Sequence, residues 1–268
     1  MSFDRAADAA RYEVVGGWCD EPLFAAAAIG PGDRVLDIGC GYGGTTLRAA
    51  ARAAPAGEAV GIDIAGPPLA HARETAARRG VRNAAFVRGD AQTHRFADGG
   101  FDIALSRNGV MFFADPAAAF ATIGRALRPG GRLAFTVPGD PAANELPRVL
   151  GTALRGLLPP RMDVRGAPGV SSLAGPDRIA EVLTGAGYEA ITVTALESRL
   201  RLGATTAEAA AFLRAWGAVR DALPDPDDPA VQDALAGALE PVGPRPRAAV
   251  LLVTARRPGS PARGGRGS

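Results

Sequence analysis

The sequence has 268 residues, 47% of them hydrophobic, which is enough to bury a substantial core and excludes global disorder. No apolar run approaches the roughly 18 residues that span a bilayer, and the opening MSFDRAADAARYE carries acids where a secretion signal would be apolar. The formal charge of +2 sits in the tail: all 30 basic residues are arginine, four of them in the last thirteen positions, and residues 1–255 set 26 arginines against all 28 acids, which argues against a nucleic-acid partner.

Taken in chain order, strand-like runs recur at Arg34–Ile38, Ala59–Asp63, Ala84–Arg88, Phe101–Ser106 and Gly131–Val137. Ala-rich helical stretches separate them, from Gly44 to Ala54, Pro67 to Arg79 and Pro116 to Leu127. Short apolar strands alternating with helices of this length predict βαβ units and a parallel sheet with helices on both faces. After Pro138 the rhythm breaks into a Pro- and Gly-rich stretch, 139–175, too long for an ordinary connection. A helix (Pro176–Ala186), a strand (Ala190–Arg201), two helices (Thr205–Leu223 and Pro229–Leu239) and a β-rich run (Arg247–Arg256) follow. The expected organisation is one domain over 1–257, with an N-terminal lid over about 1–30 and insertions at about 139–175 and 203–244. Residues 258–268, rich in Gly, Pro, Ser and Arg, read as a disordered tail.

The run VLDIGCGYGG, Val35 to Gly44, is a strand passing through a glycine-rich turn into a helix, with glycines at 39, 41 and 44 in G-x-G-x-x-G spacing. That spacing serves several nucleotide cofactors. Asp37 separates them, because a carboxylate at the strand's end repels the pyrophosphate of a dinucleotide but favours the ammonium and sulfonium of S-adenosylmethionine, directly or by orienting the loop. Asp63 ends the second strand, where a carboxylate accepts from ribose hydroxyls; a helix cap is its plainer role. Ile64 after it suits the adenine face, and Asp90 with Ala91, in GDAQ, suits the adenine edge. Three acids at the ends of three successive strands mark one rim, where open α/β sheets bind ligands.

Together VLDIGCGYGG, GIDI, GDAQ, FDIALSRNGVMFF and LRPGGRLAF resemble a class I S-adenosylmethionine-dependent methyltransferase over roughly residues 32–138, of the type found in bacterial small-molecule and natural-product pathways. The resemblance implies a Rossmann-like, seven-stranded sheet, parallel apart from its seventh strand, with the cofactor over its carboxyl edge. Carried over by position, Asp37, Gly39, Cys40 and Gly41 would hold the methionine end, Asp63 and Ile64 the nucleoside, and Asp90 with Ala91 the adenine, with Ser106 beside them.

Methyl transfer needs alignment above all, and a base only when the acceptor keeps its proton. His94, four residues beyond Asp90, is the better candidate base; His71 lies in a helical stretch and reads as structural. Arg107 and Asn108 follow the fourth strand and are acceptor-pocket or methionine-carboxylate candidates, a surface ion pair being the alternative for the arginine. Tyr12 and Trp18 are lid candidates over the substrate, and Asn144 and Glu145 are the polar candidates of the first insertion. Met111, Phe112 and Phe113 read as a core anchor, while Phe212 and Trp216 fit core packing or an aromatic wall. Cys19, Cys40 and the two histidines offer neither a disulfide framework nor a metal cluster, so no metal is expected. The expectation is therefore a cytoplasmic enzyme methylating O, N or C of a small molecule, with no nucleic-acid or membrane partner and a homodimer as one open oligomeric state. Two alternatives stay open: the same cofactor fold catalysing a cyclisation or rearrangement, and an NAD-dependent oxidoreductase.

Overall fold

Apolar residues alternate along the central strands with a period of two, so that Val35, Ile103, Leu105 and Ala134 join one buried cluster and Leu36, Ile38, Ala104, Leu133 and Phe135 another. The computed structural model describes residues 4–155, 157, 173 and 175–259. It assembles seven strands: β1 (Arg34–Ile38), β2 (Glu58–Asp63), β3 (Ala84–Arg88), β4 (Phe101–Arg107), β5 (Leu127–Pro138), β6 (Glu189–Arg199) and β7 (Arg247–Arg256). Their order in the sheet is β3-β2-β1-β4-β5-β7-β6. β1 to β5 pair in parallel, and β7 runs antiparallel to both β5 and β6. The expected topology is the observed one.

On one face, α2 (Asp20–Ala27) and α3 (Gly44–Ala53) bury Leu23, Phe24, Ala27, Ala49, Ala50 and Ala53 against the sheet. On the other, α5 (Pro116–Ala126) and α7 (Pro176–Gly185) contribute Phe120, Ile123, Ile179 and Leu183. Between β2 and β3 lies α4 (Gly66–Arg78). A separate apolar cluster joins α6 (Glu145–Ala153), α8 (Thr206–Ala215) and α10 (Pro229–Leu239), with Leu200, Leu202 and Val219. Most of it belongs to the two stretches read as insertions, with Leu200, Leu202 and Ala248 joining from outside them.

Beyond shifts of one or two residues at element ends, three larger differences from the sequence reading stand out. β5 begins at Leu127 rather than Gly131, because the Pro129-Gly130-Gly131 segment stays on the sheet with its register broken between Phe101 and Ile103 of β4. The helix expected over Thr205–Leu223 splits at Trp216, whose φ of −71° and ψ of 130° are extended, into α8 and the short α9 (Gly217–Arg220). The N-terminal segment is not a single lid. α1 (Arg5–Gly16), capped by Asp4 accepting from the amides of Ala6 and Ala7, lies at the sheet's carboxyl edge, whereas α2 is part of the core. The tail read as disordered lies outside the described residues apart from Pro258 and Gly259, as does most of 156–174.

Candidate active site

The order of strands reverses at β1, which pairs with β2 on one side and β4 on the other, and the chain leaves the carboxyl ends of these two strands in diverging directions. A cavity of about 1120 Å³ opens there. One half is lined by Gly39, Cys40, Gly41, Asp63, Ile64, Asp90 and Ala91, the other by α1, the α6 start, Trp216, α9 and the Ala248–Val250 segment.

Two glycines shape the turn between them. Gly39 has φ +68°, and a Cβ on it would stand 2.8 Å from the Cα of Gly109, so the loops after β1 and β4 touch backbone to backbone. Gly41 has φ +51° and faces open space. Asp63 then fixes the loop, accepting from the Gly41 amide at 2.8 Å and the Ala65 amide at 2.8 Å. A carboxylate has about four lone-pair sites, so two stay available to a bound diol. Asp90 accepts from the Gln92 amide at 2.9 Å, and the Gln92 carboxamide oxygen accepts from Ala114 N–H at 2.7 Å, tying the loops after β3 and β4 together. Ile64 is 69% exposed and forms an apolar shelf beside Asp63. An acidic rim, an open glycine turn and an apolar shelf fit a nucleoside-bearing cation without phosphate.

Asp37 stands behind the turn, fully buried and outside the cavity lining. Its Oδ2 accepts from the hydroxyls of Thr45 and Thr46, both at 2.6 Å, and its Oδ1 has no partner. Burial pushes its carboxyl up to about 6 against the pull of the two hydroxyls. Of the two routes open to Asp37, the structure supports orienting the turn and the first turn of α3 rather than direct contact. Ser106 is likewise withdrawn: it is buried, donates to the Ile38 carbonyl at 2.7 Å and accepts from the Gly109 amide, bracing the two loops from beneath.

The substrate candidates Tyr12, Trp18, Arg107, Asn108 and Asn144 all border the cavity. Arg107 is engaged already: its guanidinium meets both oxygens of Glu13, at 2.6 and 2.8 Å, and Asp20 at 3.0 Å. Burial lowers its affinity for its proton, and the two carboxylates more than restore it. Glu13 feels burial upward but Arg107 holds it below the usual carboxylate range. Asn108 adopts φ +57°, rare for a residue with a side chain, and its Oδ1 is buried without a partner. Asn144 donates to the Ala249 carbonyl at 3.3 Å, and Glu145 is turned away, bonded to Arg247.

His94 does not reach the cavity. Its ring packs edge to face on Phe96 at 4.6 Å, beneath Gly89, so the expected base is misplaced by its own aromatic contact. His71 packs on Tyr42, 5.5 Å between centroids. Of the triplet read as a core anchor, Phe113 stacks edge to face on Phe120 in the core and Met111 packs against that core, while Phe112 is 58% exposed; all three border the cavity.

Sequence reasoning missed the hub. Asp8, 2% exposed, accepts from the Tyr42 hydroxyl at 2.6 Å and from the Gly217 amide at 2.7 Å, joining α1, the glycine turn and α9. Tyr12 packs on both Tyr42 and Trp216, at 5.6 and 5.5 Å. Burial and Asp8 push the Tyr12 hydroxyl up to about 12, and burial with the Asp8 bond raises that of Tyr42 further. Among the described residues no group of three or more His, Cys, Asp or Glu offers a metal site, and no helix is long and apolar enough to cross a membrane.

Residues 35–131 match a family model described as a methyltransferase domain. Nocamycin O-methyltransferase of Saccharothrix syringae is 33% identical over 189 residues, 67% of this chain and 66% of that protein. Aklanonic acid methyltransferase DauC of a Streptomyces species is 41% identical over 107 residues, 40% of this chain and 49% of that protein. The chain thus spans about half to two thirds of the length of these curated relatives. In fold it is similar to the [4+2]-cyclase SpnF, with a TM-score of 0.58 at 21% identity over 97% of this chain and 85% of that one. It is also similar to Haemonchus contortus phosphoethanolamine N-methyltransferase 2 in complex with S-adenosyl-L-methionine, with a TM-score of 0.61 at 18% identity over 96% of this chain and 58% of that one.

Proposed function

Because the chain belongs to the class I S-adenosylmethionine-dependent methyltransferases, we propose that it transfers the cofactor's methyl group to an O, N or C atom of a small organic acceptor in natural-product biosynthesis. The observation that carries this reading is one continuous cavity bordered both by the glycine turn with Asp63 and Asp90 and by the aromatic and aliphatic side chains of Tyr12, Trp18, Phe112, Leu146, Leu200 and Trp216. The nicotinamide alternative falls with the family assignment.

The cofactor supplies a carbon already activated by its sulfonium; the chain supplies position. Asp63 would offer its remaining lone pairs to the ribose hydroxyls, Ile64 would pack on the adenine, and Asp90 with the Ala91 backbone would hold the adenine edge. Asp37, through Thr45 and Thr46, keeps the Gly39–Gly41 turn in its left-handed form. Tyr12, Trp18 and Asn108 border the acceptor. Arg107 holds α1 and α2 against the end of β4 beside the cavity. Alignment accounts for a large share of the acceleration such a reaction needs.

A second reading deserves its own measurement, because the same fold occurs in a [4+2]-cyclase. The protein is incubated with methyl-labelled cofactor and a panel of phenols, carboxylic acids, amines and polyketides. Stoichiometric S-adenosylhomocysteine with labelled product supports transfer. Product without S-adenosylhomocysteine assigns the cyclase-like reading instead.

A further inference from the structure

The apolar half of the cavity carries information about what enters it, given that the other half holds the cofactor as proposed. A volume of about 1120 Å³ exceeds the roughly 300–1,000 Å³ of single-ligand pockets, so it has room for an acceptor of some size beside the cofactor. Tyr12, Trp18, Phe112, Leu146, Leu200 and Trp216 wall that half. Exposed apolar surface is concentrated at this cavity too: of the four large apolar side chains left to water among the described residues, Tyr12 and Phe112 border it on this side and Ile64 on the cofactor side. Such a patch marks a surface that a ligand covers.

The carboxylates on this side of the cavity are held by neighbours, and Arg5 borders it as a further cation. Glu13 is held bidentately by Arg107, Asp8 by the Tyr42 hydroxyl and the Gly217 amide, and Asp221 by Arg220. The tyrosine hydroxyls hold their protons tightly, and both histidines pack elsewhere. Among the described residues lining this side of the cavity, then, each carboxylate has a partner and no imidazole is present to take a proton from an acceptor or to pair with an ammonium ion.

We propose that the acceptor is a bulky, largely apolar molecule bearing an oxygen acid already ionised in water near neutral pH: an enol, an acidic phenol or a carboxylic acid. The hydroxyl gives its proton to solvent before binding. Its oxygen lone pair then forms the new O–CH3 bond while the S–CH3 bond breaks and its electron pair passes to sulfur. One anion and one sulfonium become two neutral groups, so the cationic cofactor favours burying the anion among aromatic walls.

Titration calorimetry on the full-length protein tests this without turnover, using sinefungin as a cationic, non-transferring cofactor analogue and S-adenosylhomocysteine as a neutral one. The probes are 2-hydroxy-1,4-naphthoquinone, ionised at neutral pH, 1-naphthol, which is not, and N,N-dimethyl-1-naphthylmethylamine, an ammonium ion. The expected result is that the enolate binds at least about tenfold more tightly to the sinefungin complex than to the S-adenosylhomocysteine complex. The naphthol shows no such gain, and the ammonium probe binds more weakly than either. The proposal is overturned if the ammonium probe or the naphthol matches the enolate, or if the enolate gains nothing from the cationic analogue. Failure of the analogues themselves to bind would instead defeat the methyltransferase reading.

Discussion

Asp37 ties the stability of the chain to pH. Its carboxyl is raised from 3.8 to about 6 because it is fully buried, so between about pH 4 and 6 the folded chain holds a proton that the unfolded chain releases. Stability from this group is present below pH 4 and is lost as pH rises through 6, a cost on the order of 3 kcal/mol at neutral pH. Asp37→Asn therefore stabilises the protein in urea at pH 7.5, with the gain shrinking toward zero at pH 4; a gain that does not change with pH would contradict the assignment. A carboxylate kept at such a cost, with one oxygen unpartnered, is the expected signature of a residue retained for function. Asp37, Asp63 and Asp90 were legible as a group because strand ends are fixed by apolar period and length. What the sequence hid was orientation. Whether Asp37 meets a ligand or the threonines behind it depends on Thr45 and Thr46, whose hydroxyls carry no periodic signal. Asp8 was hidden more completely, since its partners lie 34 and 209 residues away.

At the scale of elements, Arg107 fastens the N-terminal pair of helices to the sheet. α1 presents Glu13, the first residue of α2 is Asp20, and the end of β4 presents the guanidinium between them. Asp20 is 1% exposed and retains Arg48 at 2.7 Å when Arg107 is gone, whereas the Glu13 side chain is 46% exposed, so its share is screened. Arg107→Met should cost about 3 kcal/mol, the lower end for breaking a buried pair. Hydrogen exchange should show the loss locally, with α1 amides losing protection while β1 and β4 keep theirs; uniform loss across the sheet would mean that the network is not a local latch. Helices were legible where apolar spacing and caps agreed, as for α10, which begins and ends where the sequence reading put it. They were not where a tertiary contact overrode propensity: the break at Trp216 follows from the Gly217 amide turning toward Asp8, a contact outside any local window. Phe112 and Phe113 show the same limit, being neighbours of one type with opposite fates.

For the whole molecule, the sheet order β3-β2-β1-β4-β5-β7-β6 followed from alternating short strands and helices, and it places the reversal of strand order under the glycine turn. The cofactor half of the cavity is built entirely from that parallel core, which is why five ordered motifs were enough to read it. The acceptor half draws on α1, α6, α9 and the start of β7, segments far apart in sequence whose Ala- and Pro-rich composition fits many packings. Its apolar character and its paired carboxylates became visible only when these pieces came together. Whether the rim binds S-adenosylmethionine through Asp63 is decided by calorimetry with S-adenosylhomocysteine on the wild-type protein and on Asp63→Ala. The expected result is saturable one-to-one binding that weakens at least about tenfold in the variant, through loss of a charge-assisted pair of hydrogen bonds and of the brace on Gly41. Absence of saturable binding to the folded wild-type chain, or equal affinity in the variant, would contradict it.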